Sequence, residues 1–490
     1  IMKAKWLPLS AVVALALSSA AASAVDFHGY FRAGMQANAR GGEVYCLGNG
    51  NAGHKVGRLA DECDTYAEIA LSQEVYNKAG SKFTVNTLIA YGTYEASDDY
   101  EDAQQDYQGN SWQGTGGAQS RADTHSNPWG GQRISARELW AGYQTDAGYQ
   151  IWAGKRFYQR KDVHILDLYY LNNSGYGAGI ENIALGKLGS ASFAVTKWSN
   201  DGSIVPKQDW DKSVHGLNRH VYKLDARWNG IPVGFGTVDA AVIYALPFIS
   251  DYQKEKLPGN SRATQANSGV LVTLDHASTV NTDNVSLMNH FVVQYGTNGF
   301  AYVGQFKNHA GDNYTPDGDA QGVRVIDWGT FDAGNFGLGY SLLWGHLNSG
   351  DDHGANGNNA WTYTRDGWEY SIVLRPEYKW TEYTRTTLEL GYTKMKATGW
   401  VAQTESGSTD GFDPDAYKIT LAQQFTPGKG FWSRPAIRFY VSYIGGDQLA
   451  HQNNFHTSDD GSWQAGRLFR EANKDHNYQI SFGTQVEAWW

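Results

Sequence analysis

Long apolar runs are almost missing from this sequence. The one present, Leu7–Leu17, is too short to cross a bilayer as a helix, and the mean hydropathy is −0.51, so a helical membrane protein is excluded. Charge is sparse too, at 18% against about 25% in ordinary globular chains. What charge there is runs acidic, with 40 Lys plus Arg against 50 Asp plus Glu, which removes the basic footprint of a nucleic-acid binder. No charge block stands out, so the negative charge is spread along the chain. No repeat of 20–50 residues recurs, which argues against propellers and solenoids. Proline, methionine and cysteine number 11, 4 and 2, while Gly (57), Tyr (30) and Trp (18) are abundant. That balance suits a large antiparallel β protein.

The apolar run belongs to a leader. Lys3 and Lys5 precede it and Ala22-Ser23-Ala24 follows, an A-x-A cleavage site, so residues 1–24 read as a signal peptide and the mature chain starts at Val25. No lipobox cysteine follows, so a lipid anchor is not expected. The exported chain is then periplasmic, secreted, or an outer-membrane barrel. Export also makes a disulfide the expected fate of Cys46 and Cys63, worth about 3 kcal/mol for so short a loop. Paired His or CxxC spacing, which metal or thiol chemistry would need, is absent.

After Val25, segments of about ten residues alternate in polarity between Gly-, Asn- and Asp-rich stretches. In Asp26–Ala37, Phe27, Phe31, Ala33 and Met35 share one face, opposite His28, Tyr30, Arg32 and Gln36. The last segment sets Tyr478, Ile480, Phe482, Val486 and Trp490 against Gln479, Ser481, Gln485, Glu487 and Trp489. An apolar face on both terminal strands needs lipid or a partner sheet. Connections that alternate between short (around Asn229-Gly230) and long (97–131, 348–359, 445–466), an aromatic C-terminal strand, and enough Tyr and Trp for two interface girdles favour the barrel. Roughly 466 mature residues at about 25 per strand and connection make 16–18 strands.

Alternation also marks aromatics on the wrong face. Tyr30 lies beside Arg32; Tyr66 shares its face with Glu68, Ser72 and Glu74; Trp432 sits with Arg434, Arg438 and Tyr440, opposite Phe431, Ile437 and Phe439; Trp489 ends the polar face of the last strand. A flat ring beside charged hydrogen-bonders is the chemistry of sugar recognition: the pyranose C–H face stacks on the ring while its hydroxyl rim bonds Arg, Asp and Glu. The plainer alternative is that these rings pack beneath inward-folded loops.

Several stretches resemble the maltoporin family of sugar-specific porins: VDFHGYFRAG (25–34), GKRFYQRKDVHILDLYY (154–170), GAGIENI (177–183), FVVQY (291–295), YKITLAQQ (417–424), WSRPAIR (432–438) and the terminal WW. The resemblance implies an 18-stranded antiparallel transmembrane β-barrel over residues 25–490, with an inward-folded constriction loop, assembled as a homotrimer in the outer membrane. It implies an aromatic ladder of Tyr30, Tyr66, Trp432 and Trp489. A further ring would come from the neighbouring subunit, Trp129 with Trp112 as competitor. The family's remaining rung, a Phe, is Met288 here. The constriction would span roughly 156–179 and carry Arg160, Asp162, His164, Asp167 and Tyr169. Arg32, Arg58, Glu68 and Arg137 would form a polar track. Implied partners are maltose and maltodextrins, outer-membrane lipid, a periplasmic maltose-binding protein and phage; no cofactor, metal or nucleic acid is expected. Asp162 and Asp167 as a glycosidase pair are disfavoured because an open pore does not exclude water. A relative tuned to sucrose or a β-glucoside is the nearest alternative, followed by a general diffusion porin and an exported β-sandwich hydrolase.

Overall fold

The computed structural model describes residues 25–41, 44, 46–47, 54–62, 64–93, 132–200, 219–248, 251, 268–304, 319–348, 367–397, 415–446 and 476–490. The leader, Cys63, Trp112 and Trp129 lie outside them. The wall begins with β1 (Asp26–Asn38), β2 (Tyr66–Lys78), β3 (Ser81–Thr93), β4 (Gln132–Gln144) and β5 (Gln150–Arg156). The chain then leaves the wall for a short hairpin, β6 (Lys161–Val163) and β7 (Leu168–Leu171), and rejoins it at β8 (Gly175–Ala184). There follow β9 (Ser190–Asn200), β10 (Arg219–Val233), β11 (Gly236–Phe248), β12 (Gly269–Asn281), β13 (Val285–Thr297) and β14 (Gln321–Ala333). β15 (Phe336–Asn348), β16 (Gly367–Lys379), β17 (Thr384–Ala397), β18 (Asp415–Phe425), β19 (Ala436–Gly445) and β20 (Tyr478–Trp489) complete it.

Apart from the hairpin, these strands make one antiparallel sheet of 18 strands. β20 pairs with β1, setting Ala488 opposite Phe31, so the sheet closes on itself. Closure removes the two open edges that a flat sheet would leave in lipid, where an unpaired N–H or C=O is costly. Polarity follows the pleat. Phe27, Met35, Ile69 and Phe482 are 52, 60, 45 and 51% exposed on the outer face, while Gln479, Ser481, Gln485 and Glu487 are buried within. Asp327 on β14 breaks the outer pattern. It shares a face with Val325 and Phe331, and Asn289 donates to it at 2.5 Å, which offsets part of the cost of a carboxylate among apolar neighbours.

Three local expectations need correction. Asn229-Gly230 is not a turn but a register shift inside β10; Gly230 takes φ +72° there, and the turn falls at Gly234 and Phe235. The constriction loop ends at 174, because Gly175–Gly179 already pair with β5. Phe431 does not join the outer face. β19 starts only at Ala436, so residue 431 sits in the preceding turn, where alternation does not apply. Its ring lies inside the barrel over Gly339, where a Cβ would meet it at 2.5 Å.

The core lies between the wall and the segments folded into it. Val163, Ile165, Leu166, Leu168, Tyr170 and Leu171 of the hairpin region are buried against Val221, Ile243, Leu271, Val292, Ile326, Leu343 and Val373. This stretch of inner wall is apolar because the hairpin, not water, covers it. The segment between β1 and β2 also folds inward, which the sequence reading did not anticipate. Leu47 and Val56 pack on Ala416 and Ile444, and Leu59 and Ala60 on Ala422 and Tyr440. Polar contacts hold it there: Lys418 donates to the Leu59 carbonyl at 2.7 Å, and Glu389 accepts from the Leu59 N–H at 3.0 Å.

Cys46 is disulfide-bonded at the start of this segment, and no described cysteine is free. Reduction is therefore expected to raise single-channel conductance while leaving the heat-modifiable mobility of the barrel unchanged. The tether constrains a lumen segment worth about 3 kcal/mol of loop closure, whereas the wall has its own closed ladder. Unchanged conductance after complete reduction would count against this.

Candidate functional site

The rings selected by alternation converge. Tyr66 and Tyr30, on neighbouring β2 and β1, lie 6.2 Å apart between centroids. Trp489 of β20 stands directly across from Tyr30, and Trp432, in the turn before β19, lies 6.5 Å from Trp489. Phe431, 5.1 Å from Trp432, extends the series. Residues from both ends of the chain meet because β20 and β1 seal the barrel. Met288 lies on the inner face of β13 with His290 and Gln294, opposite Thr330 of β14.

Tyr30, Tyr66 and Trp489 have charged company. Arg58 donates to the Tyr30 hydroxyl at 2.6 Å, and the Tyr66 hydroxyl donates to Glu68 at 2.5 Å. The Arg434 guanidinium lies 4.1 Å above the Trp489 ring, and that of Arg32 lies 5.3 Å from Tyr66. Arg32 grips both oxygens of Asp64, at 3.0 and 2.8 Å, and reaches Asp167 at 3.2 Å. Arg137 is the extra residue where the β3–β4 register shifts, so alternation assigns it no face; it is exposed and within electrostatic reach of Tyr66.

Glu487 is the hub. Its carboxylate receives Arg434 at 2.8 Å, Arg438 at 3.0 Å, Arg58 at 3.3 Å and the Tyr30 hydroxyl at 3.3 Å. Glu487, Glu62, Asp64, Arg434 and Arg438 were not among the sequence-selected site residues. The period-2 pattern had put Glu487 and both arginines on the polar face, so a signal existed. Glu62 and Asp64 belong to an irregular segment without periodicity, and nothing local marked them.

The constriction loop faces the rings. His164 meets Trp432 and Trp489 edge-on, at 5.4 and 5.5 Å, and its Nε2 lies 3.3 Å from Glu487. Arg160 lies over Tyr169 and Phe157, at 4.2 and 4.1 Å. Asp162 and Asp167 are driven apart. Burial pushes the Asp162 carboxyl up. Burial acts the same way on Asp167, but Arg58 and Arg32 outweigh it and hold the carboxyl well below its usual range. His164 is pushed down by burial despite Glu487, which keeps the imidazole neutral near pH 7.

This is a track of partly exposed rings backed by buried ion pairs inside a closed barrel. The sequence profile of the LamB porin family matches residues 25–490. The chain belongs to that family. A protein named maltoporin from Hahella chejuensis (strain KCTC 2396) is 32% identical over 498 residues, covering 99% of this chain and 98% of that one. Looser likenesses are seen to the crystal structure of OccAB2 from Acinetobacter baumannii (9% identity, TM-score 0.45, 95% of this chain and 98% of that one). OpdK from Pseudomonas aeruginosa with vanillate compares at 10% identity and TM-score 0.45, over 95% of this chain and 98% of that one. As a LamB porin, the chain is an outer-membrane channel, and its apolar outer wall and charged lumen have the polarity that such a channel requires.

Proposed function

We propose that this porin conducts maltose and longer maltodextrins down their gradient, along Tyr66, Tyr30, Trp489 and Trp432. The observation that carries the reading is the contiguity of these rings, with Tyr66, Tyr30 and Trp489 each beside an arginine or carboxylate. A glucose unit keeps its apolar face on successive rings while its hydroxyls exchange partners among Arg32, Arg58, Glu68 and Arg434. Such a channel needs sites that are weak and similar; a millimolar Kd is only about 4 kcal/mol. His164, Asp162, Asp167, Arg160 and Tyr169 narrow the passage from the loop side, and Arg137 extends the polar track. The name of the 32%-identical relative supports the substrate class.

The same reading includes a homotrimer in which Trp129 of a neighbour adds a ring. It also includes a cleaved leader at 1–24, in line with a family match that begins at 25. Met288 favours one second reading, a relative selecting another sugar such as sucrose or a β-glucoside, because a thioether offers no flat face. Single-channel current block with maltose, maltohexaose, sucrose and cellobiose separates the two. Maltohexaose is expected to block best; a channel blocked best by sucrose or cellobiose would establish the second reading.

A further inference from the structure

Met288 leaves the ladder without a ring where the family resemblance implies one, on the inner face of β13. The structure puts an unforeseen aromatic beside it. Trp328 of β14 faces the lumen directly across from His290, two residues along from Thr330, the partner of Met288. It is half-buried and packs on the same apolar cluster as Trp432. The strand pairing brings Phe431 of the Trp432 connection near the same part of the wall. Phe431, bonded to Trp432, lies over Gly339; Gly339 stands across from Thr330, and Thr330 across from Met288.

The indole is held in one orientation. The His290 imidazole stacks on it at 4.7 Å and 9°, and His290 is pinned through Nδ1 to Asp275 at 2.9 Å. Further polar groups stand behind His290. Lys161, at the foot of the constriction hairpin, bridges Asp239 at 2.6 Å and Asp275 at 2.7 Å, and both Lys161 and Asp239 are partly exposed. β14 leads into the turn at Gly334 and Asn335, and Trp328 lies below Ile326, where the hairpin packs. The ring is therefore on the turn side of the constriction, which is the periplasmic side of an outer-membrane barrel with short periplasmic turns.

We infer that Trp328, backed by His290, is a further rung of the ladder on the turn side of the constriction, next to Phe431 and Trp432, and takes the pyranose ring that Met288 does not stack. The inference rests on the sugar reading above. It deepens that reading by adding an indole one strand over from Met288, whose polar backing runs through His290 and Asp275 to Lys161 and Asp239 in place of the arginines of the other rungs. Oligosaccharides that extend past Trp432 to Trp328 should feel this rung, and disaccharides held at Tyr66 and Tyr30 should not.

The test is current block by maltohexaose added to one side of a planar bilayer at a time, with maltose as the short control. Trp328→Ala is expected to weaken maltohexaose block about three- to tenfold, chiefly by slowing entry from the periplasmic side, and to change external maltose block less than twofold. Trp328→Phe should keep most of the wild-type affinity. Because Trp328→Ala opens a hole beside an apolar cluster, Met288→Phe is added in that background; it restores a ring nearby and should recover block. Equal loss from both sides, no loss, or no recovery with either Phe variant would overturn the assignment. A wild-type channel that no maltodextrin blocks would instead bring down the sugar reading itself.

Discussion

Glu487→Leu is expected to turn the pore toward anions and to raise its conductance. One carboxylate receives Arg434, Arg438 and Arg58 at 2.8–3.3 Å, and all of these groups are buried. Removing it leaves three guanidinium groups competing for the acids that remain. Breaking a buried ion pair by deleting one partner costs about 3–5 kcal/mol, because the other charge stays desolvated. The wall absorbs this without opening, since its strand ladder does not depend on the hub. The relief comes instead from the inward segments. Arg58 can leave with the β1–β2 segment, and His164, 3.3 Å from the same carboxylate, loses its hold on the wall. Reversal potential under a KCl gradient reads the charge effect, and single-channel conductance reads the loop. Selectivity unchanged from the wild type would mean that the arginines are neutralised by acids other than Glu487.

Trp432→Ala is expected to weaken maltodextrin binding about tenfold, with ion conductance equal to the wild type or slightly higher. Trp432 links three rings: Phe431 at 5.1 Å, His164 at 5.4 Å and Trp489 at 6.5 Å. A lost aromatic contact is worth about 0.5–1.5 kcal/mol beyond the area it covers, and the upper figure corresponds to about tenfold in affinity. Tyr66→Ala, at the far end of the series, should lose less. Ions do not need the stacking surface, so a smaller side chain can only widen their path. Sugar titrations of current block on both variants decide the point. Equal affinity in wild type and both variants would make the rings packing for the inward segments and not a conduction path.

Much of the site was legible because a strand exposes its chemistry every second residue. Tyr30, Tyr66 and Trp489 could be assigned to the lumen from their neighbours alone, and Met288 likewise. Trp432 lies inside the barrel, but not for the reason alternation gives, since it belongs to a turn; Phe431, placed on the lipid face by the same rule, shows the error. Glu62 and Asp64 were missed because an irregular segment carries no period to read. Trp328 shares its strand face with Arg324, Thr330 and Asp332, so the period carried a signal there too.

The face that each strand residue presents was determined by the sequence itself, because the pleat is a local rule and a one-residue slip would turn every apolar side chain into the lumen. The polarity of the two faces, and from it a barrel in lipid, followed in the same way. Tertiary structure alone decided which side chains meet. Arg58, Arg434 and Arg438 find Glu487 only because the first segment folds inward and the last strand seals against the first. It also decided which inner faces are dry. Val221, Ile243, Leu271 and Ile326 point into the lumen yet are apolar, because a hairpin from another part of the chain lies on them. A period along one strand cannot report what another segment places over it.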